Sequence, residues 1–180
     1  YFCSFNFFTL LMRFLYLLFY CSAIFAQSPI ISSSEISYHG SHFMHDWVGT
    51  SKSADSKMIY DNQLNSGSVT VSVRLDSFDS RLSSRDSNML FYADAMDHPV
   101  VLFKSTNINI KSDSVYIEGD MTFHGITKQV KTVAAMFTKE SPKISGSFNI
   151  NLSDYNIERP TLLFVKIADK IRIEYSFIIE

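Results

Sequence analysis

Ser68-Val69-Thr70-Val71-Ser72-Val73-Arg74-Leu75-Asp76 alternates strictly between polar and apolar side chains. Val69, Val71, Val73 and Leu75 share one face while Ser, Thr and Arg share the other, the pattern of a strand buried on one side only. The alternation returns at Val115, Ile117, Met121 and Phe123 against Tyr116, Glu118, Asp120 and Thr122, again at Ile144, Phe148, Ile150 and Leu152, and finally at Ile171, Ile173, Tyr175, Phe177 and Ile179. Residues 35–39, 45–60, 99–111, 127–138 and 161–167 add further expected strands. Eight or nine short strands in succession, each with one wet face, predict an all-β antiparallel barrel or sandwich.

One segment breaks this rhythm. Across residues 83–96, Met89, Ala93 and Met96 recur at helical spacing, behind Ser83 or Ser84 as a candidate N-cap. The spacing predicts one short helix that stops near Asp97-His98, because Pro99 disfavours helical geometry in the residue before it. Pro142 and Pro160 fall between expected strands rather than inside them. No internal repeat, low-complexity linker or charge run marks a second domain.

The composition narrows the function. The 180 residues are 46% apolar and 19% charged, with 16 Lys and Arg against 18 Asp and Glu. That balance lacks the basic excess needed to neutralise phosphates, so no nucleic acid is expected as a partner. Both cysteines, Cys3 and Cys21, lie in an apolar N-terminal stretch. The chain beyond that stretch cannot use a disulfide, a thiolate nucleophile or a Cys-ligated metal. Met12-Arg13 followed by the apolar run Phe14–Ala26 has the order of a secretory leader, with cleavage expected after Ala26. Residues 1–26 are therefore expected to be a signal peptide, residues 1–11 being upstream sequence if Met12 is the true start, and residues 27–180 the folded domain. The competing reading is a membrane anchor over Phe7–Phe25, just short of the ~20 apolar residues a spanning helix needs. Export to the periplasm or outside the cell is the preferred expectation.

Four stretches, in order, resemble the YceI-like family. The first runs from Val73-Arg74-Leu75-Asp76-Ser77-Phe78-Asp79 through Ser84-Arg85-Asp86 to Asp97-His98-Pro99 and Val101-Leu102-Phe103-Lys104-Ser105. The second, residues 118–130, carries Gly119, Thr122, Gly125 and the Thr127-Lys128 pair of a hairpin and is the most specific. The third is residues 146–157, and the fourth Asp169-Lys170-Ile171-Arg172-Ile173. The match covers about residues 35–180 and departs at the His-rich front, residues 39–49. The resemblance implies a lipocalin-like antiparallel barrel of about eight strands with one short helix. It also implies a secreted protein that holds a polyisoprenoid or other amphiphile in its interior, with no catalytic residue and no cofactor.

The apolar faces identify candidate ligand contacts. Val71, Val73, Phe103, Ile117, Phe123, Phe148, Ile150, Ile173 and Tyr175 are expected to converge inward, where they either fill the barrel or line a tunnel for an apolar tail. Trp47, the only Trp, with Phe43 beside it, suits the place where tail meets head group. Met89 and Phe91 on the helix are expected to cover one end, and Arg85 to offer a head-group contact. Exchange of the ligand at a membrane and a homodimer are further expectations of this reading.

Two alternatives remain. His39, His42 and His45, with Asp46, have suitable chemistry for a transition metal or a metal-dependent hydrolase. On a straight strand, however, His42 would face away from the other two unless a turn at Gly40-Ser41 regroups them. The second alternative is a filled barrel serving as a secreted interaction protein. A serine hydrolase is disfavoured, since no Gly-x-Ser-x-Gly elbow is present.

Overall fold

The computed structural model describes residues 31–61, 66–137 and 142–179, so the expected leader and the Met12 start lie outside the described residues. The elements are β1 (Ile31–His42), β2 (His45–Ser51), β3 (Asp55–Asp61), β4 (Ser66–Arg74), a 3-10 turn (Leu75–Ser77) and α1 (Ser83–Tyr92). Next come β5 (Val100–Lys111), β6 (Ser114–Phe123), β7 (Ile126–Phe137), β8 (Lys143–Asn151), a second 3-10 turn (Leu152–Tyr155), β9 (Thr161–Leu162), β10 (Val165–Lys166) and β11 (Lys170–Ile179). Nine strands form one antiparallel sheet in the order β2-β1-β11-β8-β7-β6-β5-β4-β3, and β9 pairs with β10 as a small separate hairpin.

The outermost strands of that sheet, β2 and β3, are consecutive in the chain, so the sheet curls until the short link between them joins its edges. Hydroxyl groups hold this seam. Ser34 Oγ donates to the Ala54 carbonyl at 3.0 Å, and the fully buried Ser51 bonds Ser77 Oγ at 2.7 Å. Thr50 and Asp79 exchange both backbone hydrogen bonds at 3.0 Å. One isolated bridge thus engages the outer edge of β2 at Thr50. The link also corrects the expectation of one strand over 45–60: the chain leaves the sheet between Ser51 and Asp55. The expected strand over 161–167 is likewise only the β9-β10 hairpin.

The β6-β7 hairpin turns through His124 (φ 50°) and Gly125 (φ 71°), the two-residue geometry in which Gly is favoured. Pairing of β7 with β8 covers only Val133–Phe137 against Lys143–Ser147, after which the strands part. The second 3-10 turn fills the opening. Its Leu152 and Tyr155, with Ile157, pack against Val130, Ile150, Met121 and Ile171.

The helix differs from its expected form. Leu82, not a serine, occupies the N-cap position and makes no side-chain cap bond. Asp86 instead ties the first turn down, its carboxylate accepting the Ser80 N–H at 3.1 Å. The helix ends at Tyr92, before the Pro99 effect is needed, because Asp94 adopts φ 49° and the His98 N–H bonds back to the Asp94 carbonyl at 2.8 Å. Met96, beyond that end, is exposed rather than on a core face.

Candidate functional site

The buried apolar residues do not meet at one centre. They form three wall clusters, around Tyr155 and Ile150, around Val71 and Phe177, and around Val115 and Ala134. Between them lies a cavity of about 660 Å³, within the range of small-molecule sites.

The inward faces of the strands supply the lining, as the period of two requires. Val71, Val73, Phe103, Ile117, Phe123, Phe148, Ile150, Ile173 and Tyr175 all reach the cavity, and so do Trp47, Met89 and Arg85. Two expected contacts do not, and these are corrections. Phe43 is 68% exposed because it sits at the tip of the β1-β2 hairpin, past the last paired residue, His42. Phe91 is 78% exposed because the cavity-facing stripe of α1 runs through Arg85, Asn88, Met89 and Tyr92, and Phe91 lies off that stripe.

Deep in the wall the few polar groups satisfy one another. Thr132 Oγ1 donates to the Ser147 carbonyl at 3.1 Å, leaving Tyr175 OH to donate to Thr132 at 3.1 Å. Burial raises the Tyr175 pKa, so this phenol stays neutral. The remaining polar character gathers at one end, where β1, β2 and α1 meet. Trp47 stands directly across from Gly40, its indole lying over the bare Cα, and any Cβ there would collide with the ring. This is why that strand position carries glycine. The Arg85 guanidinium sits 5.4 Å from the centre of the Trp47 ring, in cation–π range. Tyr38 lies beside them. Burial, reinforced by the charge of Asp86, pushes its pKa up to about 12. Its hydroxyl is close to the Trp47 indole and to Ser80, yet neither contact reaches hydrogen-bond geometry, and the Ser80 hydroxyl and His42 Nδ1 are likewise buried without a partner.

The front histidines separate. The chain turns after His42, not at Gly40-Ser41, so His42 and His45 pair across β1-β2 and face the cavity with ring centres 6.3 Å apart. His39 faces the other side, its Nε2 lying 3.0 Å from Glu174. His42 is engaged through Nε2 with the Val165 carbonyl at 3.3 Å. Among the described residues no group of three or more His, Cys, Asp or Glu is placed to hold a metal ion.

Tyr38, His42 and Leu82 were not among the expected ligand contacts. The alternation Ile36-Tyr38-Gly40-His42 in β1 was the available signal for the first two, and it was obscured by the polar Ser-rich run around it.

Among the described residues, an antiparallel sheet curled around an apolar cavity, with one helix and one polar end, defines a lipocalin-like barrel. The chain belongs to the YceI-like family: the YceI-like domain matches residues 30–178. It is 30% identical over 138 residues to a UPF0312 protein of Pseudomonas putida, covering 70% of each chain. Among solved structures it is similar to BcnA of Burkholderia cenocepacia, with TM-score 0.72 and 18% identity over 81% of this chain and 95% of that one. It is also similar to a polyisoprenoid-binding domain from Saccharophagus degradans implicated in plant cell wall breakdown, with TM-score 0.65 and 11% identity over 85% and 97% of the two chains.

Proposed function

We propose that this protein holds the tail of a polyisoprenoid or related amphiphile inside the barrel and does no chemistry on it, acting after export as a carrier or store. The apolar cavity is the observation that carries this reading. An apolar lining left facing water forgoes ~25 cal/mol for each Å² it could otherwise bury. Water is a poor filler for such a lining, because a buried water needs two to four polar partners and the deep polar groups already satisfy each other. An alkyl tail offsets the cost instead, contributing ~0.8 kcal/mol per buried methylene.

The polar end supplies the head-group contacts in this reading. Tyr38 OH and His42 Nδ1, both on residues lining the cavity, offer polar atoms that the protein itself leaves unused, and Arg85, which gives one N–H to the Ser80 carbonyl at 3.4 Å, adds its charge. The name of the Saccharophagus domain adds support for an isoprenoid tail.

The test is to express the chain with export intact, purify it without detergent, compare its native and denatured masses, and identify any organic extract. A stoichiometric apolar molecule with a long tail is the expected result. A barrel that comes out empty and takes up no added polyisoprenoid overturns the proposal.

A further inference from the structure

Beyond what the cavity holds, the rim beside it carries a surface suited to a bilayer. The β9-β10 hairpin turns through Leu163 (φ 50°) and Phe164 (φ 66°). Both sit in the left-handed region that a two-residue turn demands, where Asn-Gly is the usual solution and bulky side chains cost conformational energy. The chain accepts that strain in order to present Leu163 and a fully exposed Phe164 to solvent. Backbone strain in a native structure that brings no packing in return points to a use outside the fold.

The tip does not stand alone. His42 Nε2 meets the Val165 carbonyl at 3.3 Å, the Ala168 N–H bonds the Ser41 carbonyl at 2.8 Å, and the Phe43 ring lies against His42 at 4.4 Å between centres. The β1-β2 and β9-β10 hairpins therefore meet just below their turns, and each carries an exposed apolar tip, Phe43-Met44 on one and Leu163-Phe164 on the other. Leu162 connects the second tip to the interior, being exposed on one side and part of the cavity lining on the other. Lys166, also exposed, flanks the tip with a cation suited to lipid phosphates.

We propose that the paired tips, led by Leu163 and Phe164, insert shallowly into a lipid bilayer surface and set the cavity mouth against it, so that an apolar molecule passes between bilayer and barrel without crossing water. The occupant argued for is the bilayer rather than a second copy of the chain. The apolar groups project from two narrow turns, a shape that penetrates a fluid interface, and Leu162 joins the β9-β10 tip to the cavity lining. This surface requires only that the mouth lie there, and it stands or falls separately from the identity of the ligand.

The decisive variant is Leu163→Asn with Phe164→Gly, which removes the apolar tip while giving the turn its preferred residues. It should fold at least as well as the wild type, read as an unchanged or raised Tm. Both proteins, purified from an exporting host without detergent, are floated with vesicles of equal parts phosphatidylcholine and phosphatidylglycerol. The wild type is expected to float with the vesicles and the variant to partition about tenfold or more weakly. Equal flotation of the two, or no flotation of the wild type, overturns the proposal. So does a wild-type dimer that the variant breaks without any effect on vesicle binding, since the rim would then be a self-association face. Organic extracts of the same preparations separate this outcome from that of the ligand reading: an empty barrel that still floats refutes the ligand and leaves the docking surface standing.

Discussion

Asp169 joins two distant parts of the chain through one carboxylate. It accepts the Ser153 hydroxyl at 2.6 Å and the Ser153 N–H at 2.9 Å, with Arg159 Nε 3.9 Å away, and so ties the start of β11 to the turn that plugs the β7-β8 opening. The Ser153 hydroxyl above all holds its carboxyl below the ordinary carboxylate value. A carboxylate whose pKa is lowered by folding stabilises the fold above its unfolded pKa, and that contribution disappears as pH falls through the lowered folded value. Asp169→Asn should therefore lower Tm at neutral pH, with the gap to wild type closing in acid. A gap that stays constant with pH would refute this account. Gly40→Val tests a different contact, since the added methyls must displace the Trp47 ring. We expect a red-shifted emission from this single Trp, loss of bound amphiphile, and destabilisation of about 1–3 kcal/mol from overpacking. At this scale the sequence was readable where alternation alone decides, as at Val71 or Ile173. It failed at Phe43 and Phe91, where a turn tip and an off-stripe helix position outweigh the hydrophobicity of the side chain.

Among the elements, α1 is built with a deliberate weakness at its N-terminus. Leu82 stands where a capping oxygen would satisfy a free helical N–H, and its side chain lines the cavity instead. Leu82→Asp should supply that cap and acceptor, worth about 0.5–2 kcal/mol, while placing a carboxylate at the cavity. The expected outcome is a higher Tm together with weaker retention of the apolar ligand, a trade of function against stability. A variant that gains stability and keeps its ligand would show that α1 does not contribute to holding it. Strands were the legible elements because one wet face imposes a period of two. The break between β2 and β3 was hidden, since Lys52-Ser53-Ala54 contains neither Gly nor Pro. The partnership of β1 with β11, whose paired residues lie more than a hundred positions apart, leaves no local trace at all.

For the whole molecule the question is whether the inward faces touch one another or a guest, and composition cannot answer it because wall and core use the same residues. The space of about 660 Å³ that the wall clusters surround is what distinguishes the two. Hollow and filled barrels respond oppositely to added bulk. Enlarging a residue in a packed core costs about 1–3 kcal/mol through strain, whereas in a hollow it buries new apolar surface and stabilises the empty protein. Val71→Phe, on β4 facing the cavity, should thus raise the Tm of protein stripped of ligand. The wild type should lose stability on stripping. A ligand present at a hundred times its Kd adds about 2.7 kcal/mol, and at this chain length each kcal/mol shifts Tm by about 2–4 °C. Stripped wild type is therefore expected to melt about 5–10 °C lower and to recover on addition of a polyisoprenoid. In Val71→Phe, where the added ring competes for the same space, that recovery should be smaller. If Val71→Phe instead melts below the stripped wild type, the barrel is filled by its own side chains, and the carrier reading fails with it.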